Sequence, residues 1–108
     1  MFARNVSLRL KPNTLHDFQQ TFENEVLPML RKQAGFRDEI ALAGDNDTYV
    51  TAISLWESKE QAELYNNTMY PTILKNLDKF LDGPPKVRVS SVLSSTSHKL
   101  TASAVVAA

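Results

Sequence analysis

The stretch that decides the fold is Thr48–Trp56, which reads TYVTAISLW. It is rich in β-branched and aromatic residues, contains neither Gly nor Pro, and follows the turn-forming residues Gly44–Asp47. Side chains alternate between the two faces of a strand, and neither alternate set in this stretch carries a charge. A strand of this kind lies inside a sheet that is covered on both faces, so each face of the sheet needs a cover.

The composition excludes several classes of protein. The chain has 108 residues, the size of one domain, and its 12 basic and 12 acidic side chains cancel. Without a positive field we expect no nucleic-acid partner and no attraction to an anionic membrane. The sequence has no Cys for disulfides or thiolate chemistry and no apolar run that would span a bilayer. Its charged N-terminus does not resemble a signal peptide, and we expect a cytoplasmic protein.

The first half of the chain predicts a strand, a helix and a second strand. Phe2–Leu10 alternates between apolar and polar residues, as a half-buried strand does. Thr14–Ala34 carries an apolar stripe at helical spacing, and Thr14 is a candidate cap. Pro28 lacks an N–H, so we expect the helix to kink or break there. Phe36–Ala43 forms the second strand and pairs with the central strand through a hairpin.

The second half adds a helix and a last strand. A capping box at Ser58 starts the helix, and Pro71 divides it into two segments. Lys86–Ser95 is the last strand. The order β-α-β-β-α-β is that of an α+β, ferredoxin-like fold, a four-stranded antiparallel sheet with the helices on one face. We expect residues 1–96 to form this domain and residues 97–108 to be a tail or an arm.

The face of the sheet without helices needs a cover of its own. One apolar set of the first strand and one of the central strand would make this face apolar if both lie on it. These sets are Val6, Leu8 and Leu10, and Tyr49, Ile53 and Leu55. An uncovered apolar surface of this size is unusual in a soluble monomer. We therefore expect a homodimer in which each sheet covers its two-fold copy.

The opposite alternation places small residues beneath the helices. This set comprises Ala3, Asn5, Ser7, Ala52 and Ser54, with Trp56 at the strand end. Small residues there either let the helices dock closely or leave a pocket. A pocket would have Asn5 as a hydrogen-bond donor, Trp56 as a wall, and the helix residues Phe22, Tyr65 and Met69 above it. With close docking, Asn5 is a satisfied structural amide and the aromatic residues belong to the core.

Other chemistry finds no support in the sequence. His16 and His98 are the only histidines, and neither has a neighbour at metal-ligand spacing. The glycines are isolated, so no phosphate-binding loop is present, and no set of Ser, His and Asp suggests a triad. We expect no metal site.

The strand ending Leu55–Ser58 (LWES) runs into a helix that begins Lys59–Ala62 (KEQA). With the order of elements, this step resembles the antibiotic biosynthesis monooxygenase domain of the dimeric α+β barrel superfamily. The resemblance covers about residues 2–95. It implies a homodimer whose two sheets form a barrel between the subunits, with a ligand pocket between sheet and helices in each.

Some members of that family oxygenate aromatic molecules without a metal or an organic cofactor. The resemblance thus implies a cofactor-independent monooxygenase acting on a small aromatic or quinone-type molecule. Asn5 would hold the substrate oxygen and Trp56 would stack on the ring, with Tyr65, Phe22 and Met69 as further substrate-binding residues.

Other members degrade haem with an Asn on the first strand, a Trp on the third and a His on the last helix. Asn5 and Trp56 match, but no His occurs from Lys59 to Leu81, and Asn76 stands near the expected position. Without an axial ligand, a haem-degrading protein is an alternative only, as is a non-catalytic dimer that binds a small ligand.

Overall fold

Four strands and a set of short helices make up the part of the chain that the computed structural model describes, residues 1–44 and 46–98. The strands are β1 (Phe2–Arg9), β2 (Phe36–Ala43), β3 (Tyr49–Trp56) and β4 (Lys86–Ser91). The helices are α1 (Leu15–Thr21), α2 (Leu27–Arg31), α3 (Lys59–Thr68) and α4 (Tyr70–Leu77), with a π-helical turn at Phe22–Val26 and a 3-10 turn at Asp78–Phe80. Asp45 of the predicted turn and residues 99–108 of the predicted tail lie outside the described residues.

The strands form one antiparallel sheet in the order β2-β3-β1-β4. This confirms the predicted ferredoxin-like arrangement, with the uncharged stretch Tyr49–Trp56 in an interior position. The last strand ends at Ser91 rather than Ser95, and the first ends at Arg9, after which Leu10 makes an isolated bridge to Leu81. None of the helices in the described ranges is long and apolar enough to cross a membrane.

The first helix is interrupted just before Pro28, where a kink or a break was expected. The Leu27 N–H bonds to the carbonyl of Phe22, five residues earlier, which widens the helix into a π-helical turn. Pro28 then stands at the start of α2, where a backbone N–H would have no acceptor within that helix, so its absence costs no helical hydrogen bond. Thr14 stands at the N-cap position as expected, but its side chain makes no cap bond, and its hydroxyl donates to the Lys11 carbonyl at 2.7 Å.

The second helical region follows its sequence signals. The Gln61 N–H donates to the Ser58 hydroxyl at 3.2 Å, which confirms the capping box. Helix α3 ends at Thr68, and α4 starts at Tyr70 with Pro71 in its first turn, as predicted.

The two faces of the sheet are assigned differently from the prediction. The register pairs Val6 with Ala52 and Leu8 with Val50, and all four residues are buried in the core beneath the helices. Asn5 pairs with Ile53 on the other face. The placing of Ala52 and Ser54 under the helices is confirmed, whereas that of Ala3, Asn5 and Ser7 is wrong. Alternation alone does not decide which of the two sets of β1 side chains is buried under the helices. The set with the larger apolar side chains lies in the core because its burial is the more favourable.

The sheet face without helices is called the open face here. It presents an apolar strip in which Ile40 and Leu42 are each 51% exposed and pair with Ile53 and Thr51. Tyr49 and Leu55 share this face with Ile53, as predicted. Val6, Leu8 and Leu10, which were expected beside them, are core residues.

Two glycines with positive φ provide a matched test of packing. Gly35 has φ +80°, and a Cβ at this position would lie 2.8 Å or less from three atoms of the Gln61 side chain. Gly83 has φ +103°, with no atom within 4 Å of such a Cβ. We expect Gly83→Ala to lower the free energy of unfolding by roughly 1–2 kcal/mol through backbone strain, and Gly35→Ala to lower it by at least ~1 kcal/mol more. Denaturant unfolding measures the difference, and equal losses would contradict this packing.

Candidate functional site

A row of polar residues crosses the helix-covered face of the sheet. Glu39 on β2 pairs with Ser54 on β3, and Ser54 pairs with Arg4 on β1. The rows on either side hold apolar or aromatic residues, including the pair of Phe2 and Trp56. Polar groups in the middle of a core face are the feature that most needs an explanation.

Arg4 is the most unusual of the three because it is only 2% exposed. Its Nη2 donates to the Asn66 side-chain oxygen at 2.8 Å. Its guanidinium carbon lies 4.3 Å from the ring centre of Tyr70 and 5.0 Å from that of Tyr65. Aromatic faces attract a cation, so the two rings replace part of the lost hydration.

A small cavity opens among these groups and is called the polar cavity here. It has a volume of about 40 Å³, and Arg4, Glu39, Ser54, Tyr65 and Tyr70 supply its polar lining. Arg4 Nε and the Tyr70 hydroxyl are buried and have no hydrogen-bond partner among the described residues. Two orphan donors beside one cavity indicate a place where a polar ligand fits.

Glu39 stands at the edge of the polar cavity with an altered acidity. Burial raises the pKa of its carboxyl to about 8, against the opposing charge of Arg4 and with a smaller contribution from Asp38. Burial also raises the pKa values of Tyr65 and Tyr70, again opposed by Arg4. Both phenols therefore stay protonated at neutral pH, and Glu39 changes charge close to it.

A larger groove, called the α1–β2 groove here, lies between the first helix and the edge of the sheet. Its volume is about 330 Å³, which is in the range of small-molecule sites. Stacked rings of Phe18 and Phe22, with centres 5.7 Å apart, line its helix side. The small side chains of Ala41 and Ala43 line its sheet side.

Glu39 and Phe22 line both the groove and the polar cavity. The groove therefore offers an aromatic wall, a flat small-residue floor and one carboxyl at its inner end. At its outer rim, the exposed side chains of Gln19 and Glu23 bond to each other at 3.0 Å. An aromatic molecule with an ionisable hydroxyl group suits this arrangement.

The structure separates the two residues that were predicted to be catalytic. Asn5 lies on the open face, near Ser7 and Thr51, and its predicted place beneath the helices is wrong. Trp56 lies beneath the helices with 0% exposure, and its Nε1 donates to the Ser54 hydroxyl at 2.8 Å. Its ring stacks on Tyr65 at 4.6 Å, so it is a core residue behind the polar cavity. Any part of Asn5 or Trp56 in catalysis stays a prediction.

The three residues predicted to bind a substrate are also divided. Phe22 lines the groove, and Tyr65 lines the polar cavity. Met69 packs against the core and lines neither space. Their roles toward a substrate stay predictions.

The sequence interpretation missed Arg4 and Glu39. A signal for Arg4 is present, since it is a charge within the apolar alternation of Phe2, Val6 and Leu8. Glu39 gives none, because a β-bulge between Phe36 and Asp38 reverses the alternation and turns Glu39 toward the helices. Among residues 1–44 and 46–98, no three His, Cys, Asp or Glu side chains form a cluster that would hold a metal.

Solved structures similar to this chain include oxygenases of low sequence identity. A monooxygenase of Streptomyces coelicolor, ActVA-Orf6, in complex with nanaomycin D, is 20% identical, with 91% of this chain and 92% of that one covered and a TM-score of 0.74. SnoaB, a cofactor-independent oxygenase of Streptomyces nogalater, is 12% identical, with coverages of 90% and 97% and a TM-score of 0.73. An antibiotic biosynthesis monooxygenase at 11% identity covers 87% of this chain over its own full length, with a TM-score of 0.71.

These likenesses confirm the ferredoxin-like fold of the single chain that the sequence resemblance implied. The chain has the monooxygenase-like ferredoxin fold of antibiotic biosynthesis monooxygenase structures. No family model matches the sequence, and a comparison with curated proteins also finds no match.

The acidity of Glu39 predicts a pH-dependent stability. Its pKa is about 8 in the folded chain and 4.5 when it is unperturbed, so between these values the folded state holds a proton that the unfolded state has lost. The stability from this group is therefore complete below pH ~4.5 and declines as pH rises to ~8. Relative to wild type, Glu39→Gln should gain roughly 1–3 kcal/mol between pH ~5 and ~9 in denaturant unfolding.

Glu25→Gln is the matched control, because Glu25 is exposed on the π-helical turn. Its difference from wild type should stay constant with pH. A constant difference for Glu39→Gln as well would show that the carboxyl is not buried as described.

Proposed function

We propose that this protein is a cofactor-independent monooxygenase that acts on a small aromatic or quinone-type molecule in the α1–β2 groove. The observation that carries the proposal is the position of Glu39, a carboxyl with a pKa of about 8 at the inner end of an aromatic-walled groove. The fold shared with SnoaB and ActVA-Orf6 supports it.

Glu39 supplies the chemistry that such a reaction needs from the protein. A carboxylate with a pKa of about 8 is a stronger base than an ordinary one, and it works close to neutral pH. Removing the proton of a phenol gives an electron-rich anion that can react with dioxygen directly. A phenol with an unsubstituted para carbon and one O₂ then yield a para-quinone and one water. The substrate supplies all the electrons, so the balance requires no outside reductant.

The groove walls would hold the substrate in place. Phe18 and Phe22, which are 2% and 7% exposed, form an apolar aromatic wall, and Ala41 and Ala43 leave room for a flat molecule beside it. Binding between these walls also removes water from the reacting ring, which strengthens the effect of Glu39 on its hydroxyl group.

Haem degradation is not favoured by the lining of these spaces. The residues that line the groove and the polar cavity include no histidine, and of the two histidines in the chain, His16 is exposed and His98 lies 3.3 Å from Asp38. The described part of the chain thus offers no imidazole for an axial bond at either place.

Turnover of 1-naphthol tests the proposed reaction. We expect consumption of O₂ and formation of 1,4-naphthoquinone, with one atom of ¹⁸O₂ in the quinone. The rate should rise tenfold per pH unit and level off near pH 8, following Glu39. Glu39→Gln should lower kcat by ~10²-fold or more and remove this rise. Ala41→Leu should raise KM by filling the floor of the groove.

Two variants serve as controls for this experiment. Glu23→Gln removes a carboxylate from the rim and should change kcat little. Asn5→Ala alters the opposite face of the sheet and should also be neutral. If Asn5→Ala abolishes turnover while Glu39→Gln does not, the site is wrongly assigned. Saturable binding of 1-naphthol without any product would indicate a non-catalytic ligand-binding protein.

We also propose that the open face pairs with a second copy of the chain, as the sequence analysis expected. Its apolar strip crosses β2 and β3, and Ile40 and Leu42 expose half of their surface in the single chain. The same strip on two copies is self-complementary about a two-fold axis, which is the geometry of most homodimers. Burial of these side chains would be the driving force.

Sedimentation velocity at micromolar concentration tests the dimer. Wild type should sediment as a dimer, and Ile53→Asp should sediment as a monomer because a carboxylate in a buried apolar interface is costly. Leu64→Asp is the control, since Leu64 is equally apolar and 56% exposed, but lies on α3. A monomeric wild type would overturn the pairing.

A further inference from the structure

We infer that the polar cavity is a binding site for a small oxyanion, held by Arg4 Nε and the Tyr70 hydroxyl. Both groups are donors and both line the cavity. Neither makes a hydrogen bond of good geometry within the described residues, although the Arg4 guanidinium lies close enough to the Tyr70 hydroxyl to oppose the rise in the pKa of that phenol. Arg4 cannot relieve this by turning to water, because it is 2% exposed. One acceptor bound between them would satisfy both donors, and a guanidinium N–H prefers a charged acceptor.

The charges around the cavity favour an anion over a neutral ligand. Arg4 faces Asn66, an uncharged acceptor, and the rings of Tyr65 and Tyr70, whose phenols are neutral. Glu39 lines the same cavity, but burial keeps it protonated at neutral pH, and Asp38 beside it adds to this effect. With Glu39 protonated, no carboxylate in the cavity lining compensates Arg4, and a bound anion would do so.

The size of the cavity limits which anions fit. Its volume is about 40 Å³, whereas one water needs roughly 10–15 Å³ of such space. There is room for an ion of two or three heavy atoms, such as formate. Sulfate, with five heavy atoms, is too large. The walls that set this limit are apolar core side chains, among them Val26, Leu30 and Ile73.

Ionisation of Glu39 should compete with the anion. Once Glu39 loses its proton, its negative charge compensates Arg4 from within the protein, and the bound anion is repelled. Formate should therefore bind well below pH 8 and weaken above it. With a pKa of about 8, a site that requires protonated Glu39 loses up to about 30-fold in affinity at pH 9.5.

If the chain oxygenates aromatic molecules, the polar cavity would also receive the reduced oxygen formed in the reaction. This extension rests on the proposed function. Transfer of one electron from the substrate anion to O₂ gives a substrate radical and superoxide. Superoxide is a two-atom monoanion, and Glu39, which has just taken up the substrate proton, is then in the form that leaves Arg4 uncompensated. The same proton transfer that activates the substrate would prepare the cavity for the reduced oxygen.

Fluorescence of Trp56, the only tryptophan, provides the readout. Its ring stacks on Tyr65 at 4.6 Å, and Tyr65 lies 5.0 Å from the Arg4 guanidinium. We would titrate the full chain with sodium formate at pH 6.5 and pH 9.5, with sodium sulfate holding the ionic strength constant. No turnover is required, so a failed oxygenation assay leaves this test intact.

Saturable binding of formate at pH 6.5 is expected for wild type and for Arg9→Gln, which removes a cation on the other face of β1. Arg4→Gln should abolish saturation. Wild type should bind up to about 30-fold more weakly at pH 9.5, whereas Glu39→Gln should keep its affinity.

Several results would overturn the inference. They are an absence of saturation in wild type, an equal response of Arg4→Gln and wild type, and a weakening of Glu39→Gln at pH 9.5 equal to that of wild type. If Arg4→Gln does not fold, the comparison of wild type with Glu39→Gln at the two pH values decides alone.

Discussion

The helix-covered side of this protein is arranged around one buried charge, the guanidinium of Arg4. A cation removed from water needs other groups to replace its hydration. Here two aromatic rings from α3 and α4 and one amide oxygen do so, which fixes where both helices meet the sheet. No carboxylate of the described residues pairs with it at neutral pH, because burial keeps Glu39 protonated. Arg4 thus accounts for the packing of Tyr65 and Tyr70, whereas the raised pKa of Glu39 comes from burial and is opposed by the charge of Arg4.

The fold follows from sequence patterns because those patterns are local. The uncharged stretch Tyr49–Trp56, the Ser58 cap and the proline at position 71 each act within a few residues, and each appears where it was expected. The assignment of faces is not local, since every strand has two sides and the sequence leaves their pairing open. Val6 and Leu8 fit either a core or a dimer surface, and only the register with Ala52 and Val50 decides between them.

The candidate site was harder to predict for the same reason. Asn5 was preferred because a polar residue stood out on a strand, but it lies on the open face. Arg4, its neighbour in sequence, is the buried polar residue of that strand. Glu39 depends on a bulge near Phe36, which inserts one residue and exchanges the sides of all that follow. Phe22 was found because its helical spacing to other aromatic residues is visible in the sequence.

The π-helical turn keeps the first helix in phase with the sheet. Its buried residues Phe18, Phe22, Val26 and Leu30 recur every four positions. On an unbroken α-helix each such step overshoots a full rotation by about 40°, which would carry Leu30 about 120° around the axis from Phe18. The widened turn takes back part of this drift and brings Pro28 to the start of a new segment. The length of this stretch is therefore fixed, since the loss or gain of one residue would rotate Leu30 away from the core.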